Sequence, residues 1–351
     1  MVDWDLAVAT AGKLVKSGPK VTYAEAADVV TELRHLTDIA ERHVREYTGL
    51  TAQVDHPPVR VVDRTDWVAA NVAGLQQVMT PLIDQIARRG TINGITRLIG
   101  AKTTGVQAGT VFAYLSGKVL GQYEVFSGEP GELLLVAQNI VEAERKLQVD
   151  PTDFRLWVCL HEVTHRTQFT AVPWLRQHFL DEVRAFVDAA DTDGEAFAER
   201  LRGAIDAIVD AIRNPDSRMS VIDLVQTPAQ REIVDRLTAL MTLVEGHAEF
   251  VMDGVGPDVV PSVASIREKF NARRVARNPI EKVLRRLLGV EVKMRQYAEG
   301  SRFVAAVVDR VGMADFNAIW TSAEALPRTA ELTNPSAWIE RVHGRPAATS
   351  S

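Results

Sequence analysis

Apolar residues recur at three- and four-residue steps along most of this chain, a spacing that admits little besides packed helices. Over 23–47, Ala27, Val30, Leu33, Leu36, Ile39 and Val44 recur at that spacing with charged residues between them, as a helix with one buried face requires. A second amphipathic stretch runs over about 67–86, after a turn at Pro57 and Pro58, with Thr65 or Asp66 as its cap. The same period predicts helices over about 105–120, 152–170, 174–190, 194–213, 228–253, 279–288 and 291–311, with Gly and Pro in the gaps. Strand signal is confined to 133–137, a short apolar run behind a turn-rich segment, with 122–126 as its hairpin partner. The expected fold is mainly α, with a small β-sheet just before residue 150.

Composition narrows the function classes. The chain has 351 residues, 46% hydrophobic and 25% charged, which is globular rather than disordered. A net charge of −6 gives no electrostatic case for a nucleic-acid partner. No segment reaches the roughly 18 apolar residues that span a bilayer; the least polar, 106–120, contains Gln107, Ser116 and Lys118. The first residues carry Asp3 and Asp5 where a secretory leader carries basic groups, so a cytoplasmic location without a membrane partner is expected. The one cysteine, Cys159, reads as a buried inert thiol. It can form neither an internal disulfide nor a thiolate metal site. Any metal must therefore be held by histidine and carboxylate.

Charge is uneven along the chain. Residues 181–216 hold ten acids and four bases, whereas 267–302 hold eleven Lys or Arg and four Glu. These are either solvated helix faces or, for the basic stretch, the border of a site for an anionic substrate group. Two smaller signals read as ordinary surface. The run Asp191, Thr192, Asp193, Gly194 resembles the start of a calcium loop but lacks the later Glu and reads as a turn. His56, before two prolines, reads as an exposed loop residue.

The chemistry concentrates in 154–169, where His161, Glu162 and His165 form HExxH. On a helix, positions i and i+4 lie one above the other, so the two imidazoles can converge on one ion. Glu162 lies about 100° around the helix, placed to take a proton from an activated water. Leu156, Trp157, Val158, Leu160, Val163 and Phe169 make the helix one that must be buried. Burying two histidines and a glutamate is costly without partners. A Zn2+ ion supplies one; the alternative is a hydrogen-bonded pair of core histidines. A catalytic zinc has three protein ligands and one open position, which asks for a further His, Asp or Glu on another buried helix. The segment 240–253 offers Glu245 and Glu249 one turn apart among Leu, Val, Met and Phe. One would be a ligand, the other a partner that orients the site.

HExxH followed by Glu-Gly-x-Ala-Glu-Phe at 245–250 resembles the zincin metallopeptidases whose third ligand is a glutamate. That resemblance implies one Zn2+ per chain held by His161, His165 and Glu245, with Glu249 orienting His161. The separation between His165 and Glu245 is long for that group and implies a helical insertion over about 171–227. A closer similarity rests on 121–126, 133–140, the HExxHRxQF run, 245–253 and 293–303 together. These are similar to an actinobacterial family of zinc-dependent hydrolases, the zincin-like metallopeptidases of type 2, some of them associated with deazaflavin-coenzyme biosynthesis. The resemblance implies a single large domain over 1–345. An N-terminal helical part reaches about 103, a zincin-like core spans about 104–311, and C-terminal helices fill about 312–345, before a frayed tail at 346–351.

The implied activity is hydrolysis of a peptide or small amide by a zinc-activated water, with Glu162 as general base. Tyr297, with Arg295 and His247, is the candidate donor to the developing oxyanion. By analogy with zincins, 133–137 would be the edge strand that binds substrate; as an apolar run it reads equally well as an interior strand. The sequence admits two rival functions as well. One is a non-proteolytic scaffold with a structural zinc, and the other a small-molecule amidohydrolase in a coenzyme pathway.

Overall fold

The structure, a computed structural model, describes residues 2–52, 59–89, 94–126, 128–189, 203, 228–277 and 294–344. Two long helices open the chain after a short one: α1 (Trp4–Leu14), α2 (Tyr23–Thr48) and, beyond strand β1 (Val59–Val62), α3 (Arg64–Arg89). Helix α4 (Gly94–Ser116) leads into the hairpin β2 (Gly121–Glu124) and β3 (Glu132–Val136). Then come α5 (Ala137–Leu147), α6 (Pro151–Ala171), α7 (Pro173–Asp188), α8 (Pro228–Gly254), α9 (Val263–Arg277) and α10 (Met294–Phe316). Two 3-10 turns and the short helices α11 (Thr329–Leu332) and α12 (Pro335–His343) finish it. The expected mainly α fold with a small sheet ahead of the HExxH helix is what the chain adopts.

The sheet has the order β1-β3-β2, with β3 parallel to β1 and antiparallel to β2. Strand β3, which holds the expected strand except Ala137, is therefore the interior one, and not the edge strand that the zincin analogy implies. Its unbroken apolar run follows from that position. Leu133 and Leu135 face a core built with α2, α5 and α6, while Leu134 and Val136 face Trp67, Val68 and Ala11 on the other side. A strand covered on both faces has no polar side to alternate with.

Several boundaries differ from expectation for local reasons. Helix α3 starts earlier than Trp67, because Asp63 Oδ1 accepts from the backbone N–H of both Thr65 and Asp66 at 2.8 Å. Asp63, rather than Thr65 or Asp66, is the cap. The segment after β3 turns directly into α5 with no polar break, so the apolar run hides a helix start. Helices α1 and α9 and strand β1 were not foreseen. The helices expected over 194–213 (apart from residue 203) and 279–288, the turn at 191–194, His56 and the tail at 346–351 lie outside the described residues.

Helix α6 is the buried axis of the site. Asp150 caps it by accepting from Asp153 N–H at 3.0 Å, and Pro151 takes the first turn where no N–H is needed. Along α2 it is held by Arg155 to Glu32, by Cys159 beside Thr37, and by Arg166 to Glu41 at 3.0 Å. These contacts advance in the same direction on both helices, so α2 and α6 run parallel. Cys159 is fully buried, and burial pushes its thiol up to about 12, as an inert core cysteine requires.

On its other side α6 meets α8, and α8 is crossed closely by α10. A Cβ built on Gly246 would lie 2.2 Å from Gly300 C, and one on Gly300 would lie 2.2 Å from Thr242 O. The two backbones touch, which only glycine at both positions permits. We expect Gly246→Ala and Gly300→Ala each to cost about 1–3 kcal/mol, as overpacked positions do. Gly12→Ala, where nothing lies within 4 Å of the added carbon, should be neutral or stabilising by about 0.5–1 kcal/mol. Denaturant titration of the three variants checks the contrast.

Candidate metal centre

One turn of α6 separates His161 from His165, and their Nε2 atoms come to 3.2 Å. Glu245 reaches in from α8, its Oε2 at 3.7 Å from each of those nitrogens. Among the described residues, these three form the one group of His, Cys, Asp and Glu with donor atoms close enough to share an ion, all within 4.8 Å. Tetrahedral N and O donors about 2.0–2.1 Å from a zinc lie about 3.3 Å from one another. The observed triangle needs only small adjustment to that geometry, so the donor set fits the ion.

The hydrogen bonds behind the triangle fit as well. His165 Nδ1 lies 3.0 Å from Gln168 Oε1, and Gln168 Nε2 lies 2.9 Å from both Val244 O and His247 Nδ1. His247 is fully buried, stacked on Phe316 and edge-on to Trp320. Burial, with the nearby His165 charge as a lesser cause, pushes it down to about 3, so it stays neutral. His247 therefore faces Gln168 and an aromatic pocket, where no oxyanion can reach it. Tyr297 and Arg295 belong to α10, but their side chains lie outside the described residues.

Glu162 lies against the sheet. A Cβ on Gly121 would be 2.6 Å from Glu162 Cγ and 2.8 Å from its Cδ. The carboxylate thus rests on bare strand backbone in β2, in space that any side chain at 121 would fill. Beside it is a cavity of about 170 Å3 with apolar walls from Leu120, Trp157, Val158, Met252 and Phe270. Its polar lining is His161, Glu162, Glu249, Arg267 and Asn271, and Arg267 is ion-paired with Asp253. Glu249 is buried on this wall with His161. Gln168 and Gly121 escaped the sequence reading. Gln168 had a signal, being a lone amide three residues after His165 on a helix face that must be buried.

Burial, and then the charge of Glu245, pushes the Glu162 carboxyl up to about 8 from its ordinary 4.5. In metal-free protein this has a definite sign. Between pH about 4.5 and 8 the unfolded chain has released that proton while the folded chain keeps it, so stability falls as pH rises through this window. We expect metal-free wild type to show that decline in denaturant titrations from pH 5 to 8, and Glu162→Gln to lack it. Added zinc should flatten the wild-type slope, because a cation favours the carboxylate.

No curated protein matches the chain. A crystal structure from Chloroflexus aurantiacus, described as a candidate hydrolase with a novel fold, is 28% identical with a TM-score of 0.74. The match covers 99% of this chain and 100% of that one. Among the described residues, no helix is long and apolar enough to cross a membrane. The zincin-like metallopeptidase family matches residues 2–339, and it is to this family that the chain belongs.

Proposed function

We propose that this protein is a zinc-dependent hydrolase of amide bonds, with His161, His165 and Glu245 as ligands and Glu162 as general base. The observation that carries the reading is the meeting of three acceptor atoms beside a buried carboxylate that is itself outside the triangle. Bound there, Zn2+ supplies a Lewis acid that polarises a carbonyl and lowers the pKa of water. The chain does the rest. Glu162 takes the proton of the attacking water and returns it to the leaving nitrogen, a role worth about 10²–10⁴-fold. A purely structural zinc would have no use for such a base and would fill its fourth position with protein, which argues against the scaffold reading.

Two further features support an amide substrate. Among the described residues strand β2 is a sheet edge, and Val136 N–H donates to Leu120 O at 2.8 Å. By antiparallel alternation, Gly121 and Tyr123 then turn their N–H and C=O groups away from β3. An extended backbone added there would pass next to Glu162. The cavity takes the substrate's apolar group: its volume of about 170 Å3 compares with an apolar protein cavity of about 150 Å3 that holds benzene. That modest size also favours a second reading, a small-molecule amidase for amides bearing one apolar group.

Elemental analysis of purified variants tests the ligand set. We expect Glu162→Gln to retain stoichiometric zinc and lose hydrolysis, while His161→Ala, His165→Ala and Glu245→Ala each lose zinc; full occupancy in all three would refute the assignment. Val158→Phe, which narrows the cavity, should raise KM about tenfold or more for amides with a phenyl group. It should leave glycyl amides unchanged. A panel of such amides also distinguishes peptide from small-molecule preference.

A further inference from the structure

We infer that Gln168 and His247 set the tautomer of His165, so that its Nε2 presents a lone pair to the cation. This rests on the zinc reading above but is argued from hydrogen bonds alone. A side-chain amide has one oxygen that accepts and one nitrogen that donates twice. The carbonyl of Val244 can only accept, so the Gln168 nitrogen is the end that lies 2.9 Å from it. The Gln168 oxygen then faces His165 Nδ1 at 3.0 Å and must accept from it. The imidazole proton is thereby fixed on Nδ1, and Nε2 is left as a base pointing at His161 and Glu245.

The second N–H of Gln168 donates to His247 Nδ1 at 2.9 Å, which places the proton of His247 on Nε2. Among the described residues that buried Nε2–H finds no hydrogen-bond partner. Leaving a buried donor unmet is costly, and the structure accepts the cost in order to keep Nδ1 available to the amide. The ring cannot turn to relieve it, being stacked on Phe316 at a centroid distance of 5.5 Å and edge-on to Trp320 at 5.3 Å. Gln168 and His247 are both fully buried. Gln168 is thus a positioning residue with two tasks. It orients a ligand on α6, and it ties that helix to α8 at Val244, the residue before the third ligand. Metal-bound histidines usually donate their other N–H to a carboxylate, a backbone carbonyl or water; here an uncharged amide takes that place, held in one orientation by a backbone carbonyl.

The test uses the full-length, metal-free chain with 15N-labelled histidine, the His165 signals being assigned by comparison with His165→Gln. Long-range 1H–15N spectra should show His165 as the Nδ1–H tautomer and His247 as Nε2–H before any metal is added. Gln168→Leu should lose the Nδ1–H preference of His165 and bind zinc about 10–100-fold more weakly in chelator competition. An Nε2–H tautomer for His165 in metal-free wild type overturns the inference, whether or not the variant folds. So does a folded Gln168→Leu whose zinc affinity is within twofold of wild type. A wild type that shows the expected tautomers yet takes up no zinc supports the tautomer assignment and rejects the zinc reading instead.

Discussion

Three electron-rich atoms face one another in this molecule, two of them stacked by the turn of α6 and the third brought in from α8. The Nε2 atoms of His161 and His165 and a carboxylate oxygen of Glu245 lie within 4.8 Å of one another. Acceptors held this close repel unless a proton or a cation sits among them. The framework must therefore hold them from outside. Helix α6 is gripped along α2 by Arg155 and Arg166, and α8 is pressed into place by a glycine-on-glycine crossing with α10 one residue from Glu245. Under the zinc reading, a framework of this kind would hold the donors in place for the ion with little reorganisation.

The surrounding cores divide the labour. One packs α2, α5 and α6 on the sheet, and a second packs α7, α8, α10 and the C-terminal turns around Phe316 and Trp338. Around the donors the two meet: Leu160 and Val163, on α6 beside and between the histidines, pack in the first, and Val244, beside Glu245, packs in the second. Bonds that cross this seam carry particular weight, and Gln168 supplies two of them, to Val244 and to His247.

Legibility in the sequence followed the range of the interactions. The pair His161 and His165 was visible because helical periodicity alone brings i and i+4 together. Glu245 lies on another helix, and local pattern could only narrow the choice to two glutamates; the family resemblance separated them. Helix α5 was hidden because β3 is apolar on both faces and runs into it without a polar break. Strand β1 is four residues long and half-exposed, and its identity comes from pairing with 133–136, which no local signal reports. Asp63 was passed over as a cap because Thr65 and Asp66, equally good capping types, stand just after it.

Gly121 carries a further implication. Because it contributes no side chain where the strand lies on Glu162, a ligand backbone proposed to lie along that strand would meet a peptide group at this position. Backbone polar groups treat all amides alike, so this surface can align a ligand but cannot select one. Under the proposed function, discrimination would fall to the walls of Leu120, Trp157, Val158, Met252 and Phe270.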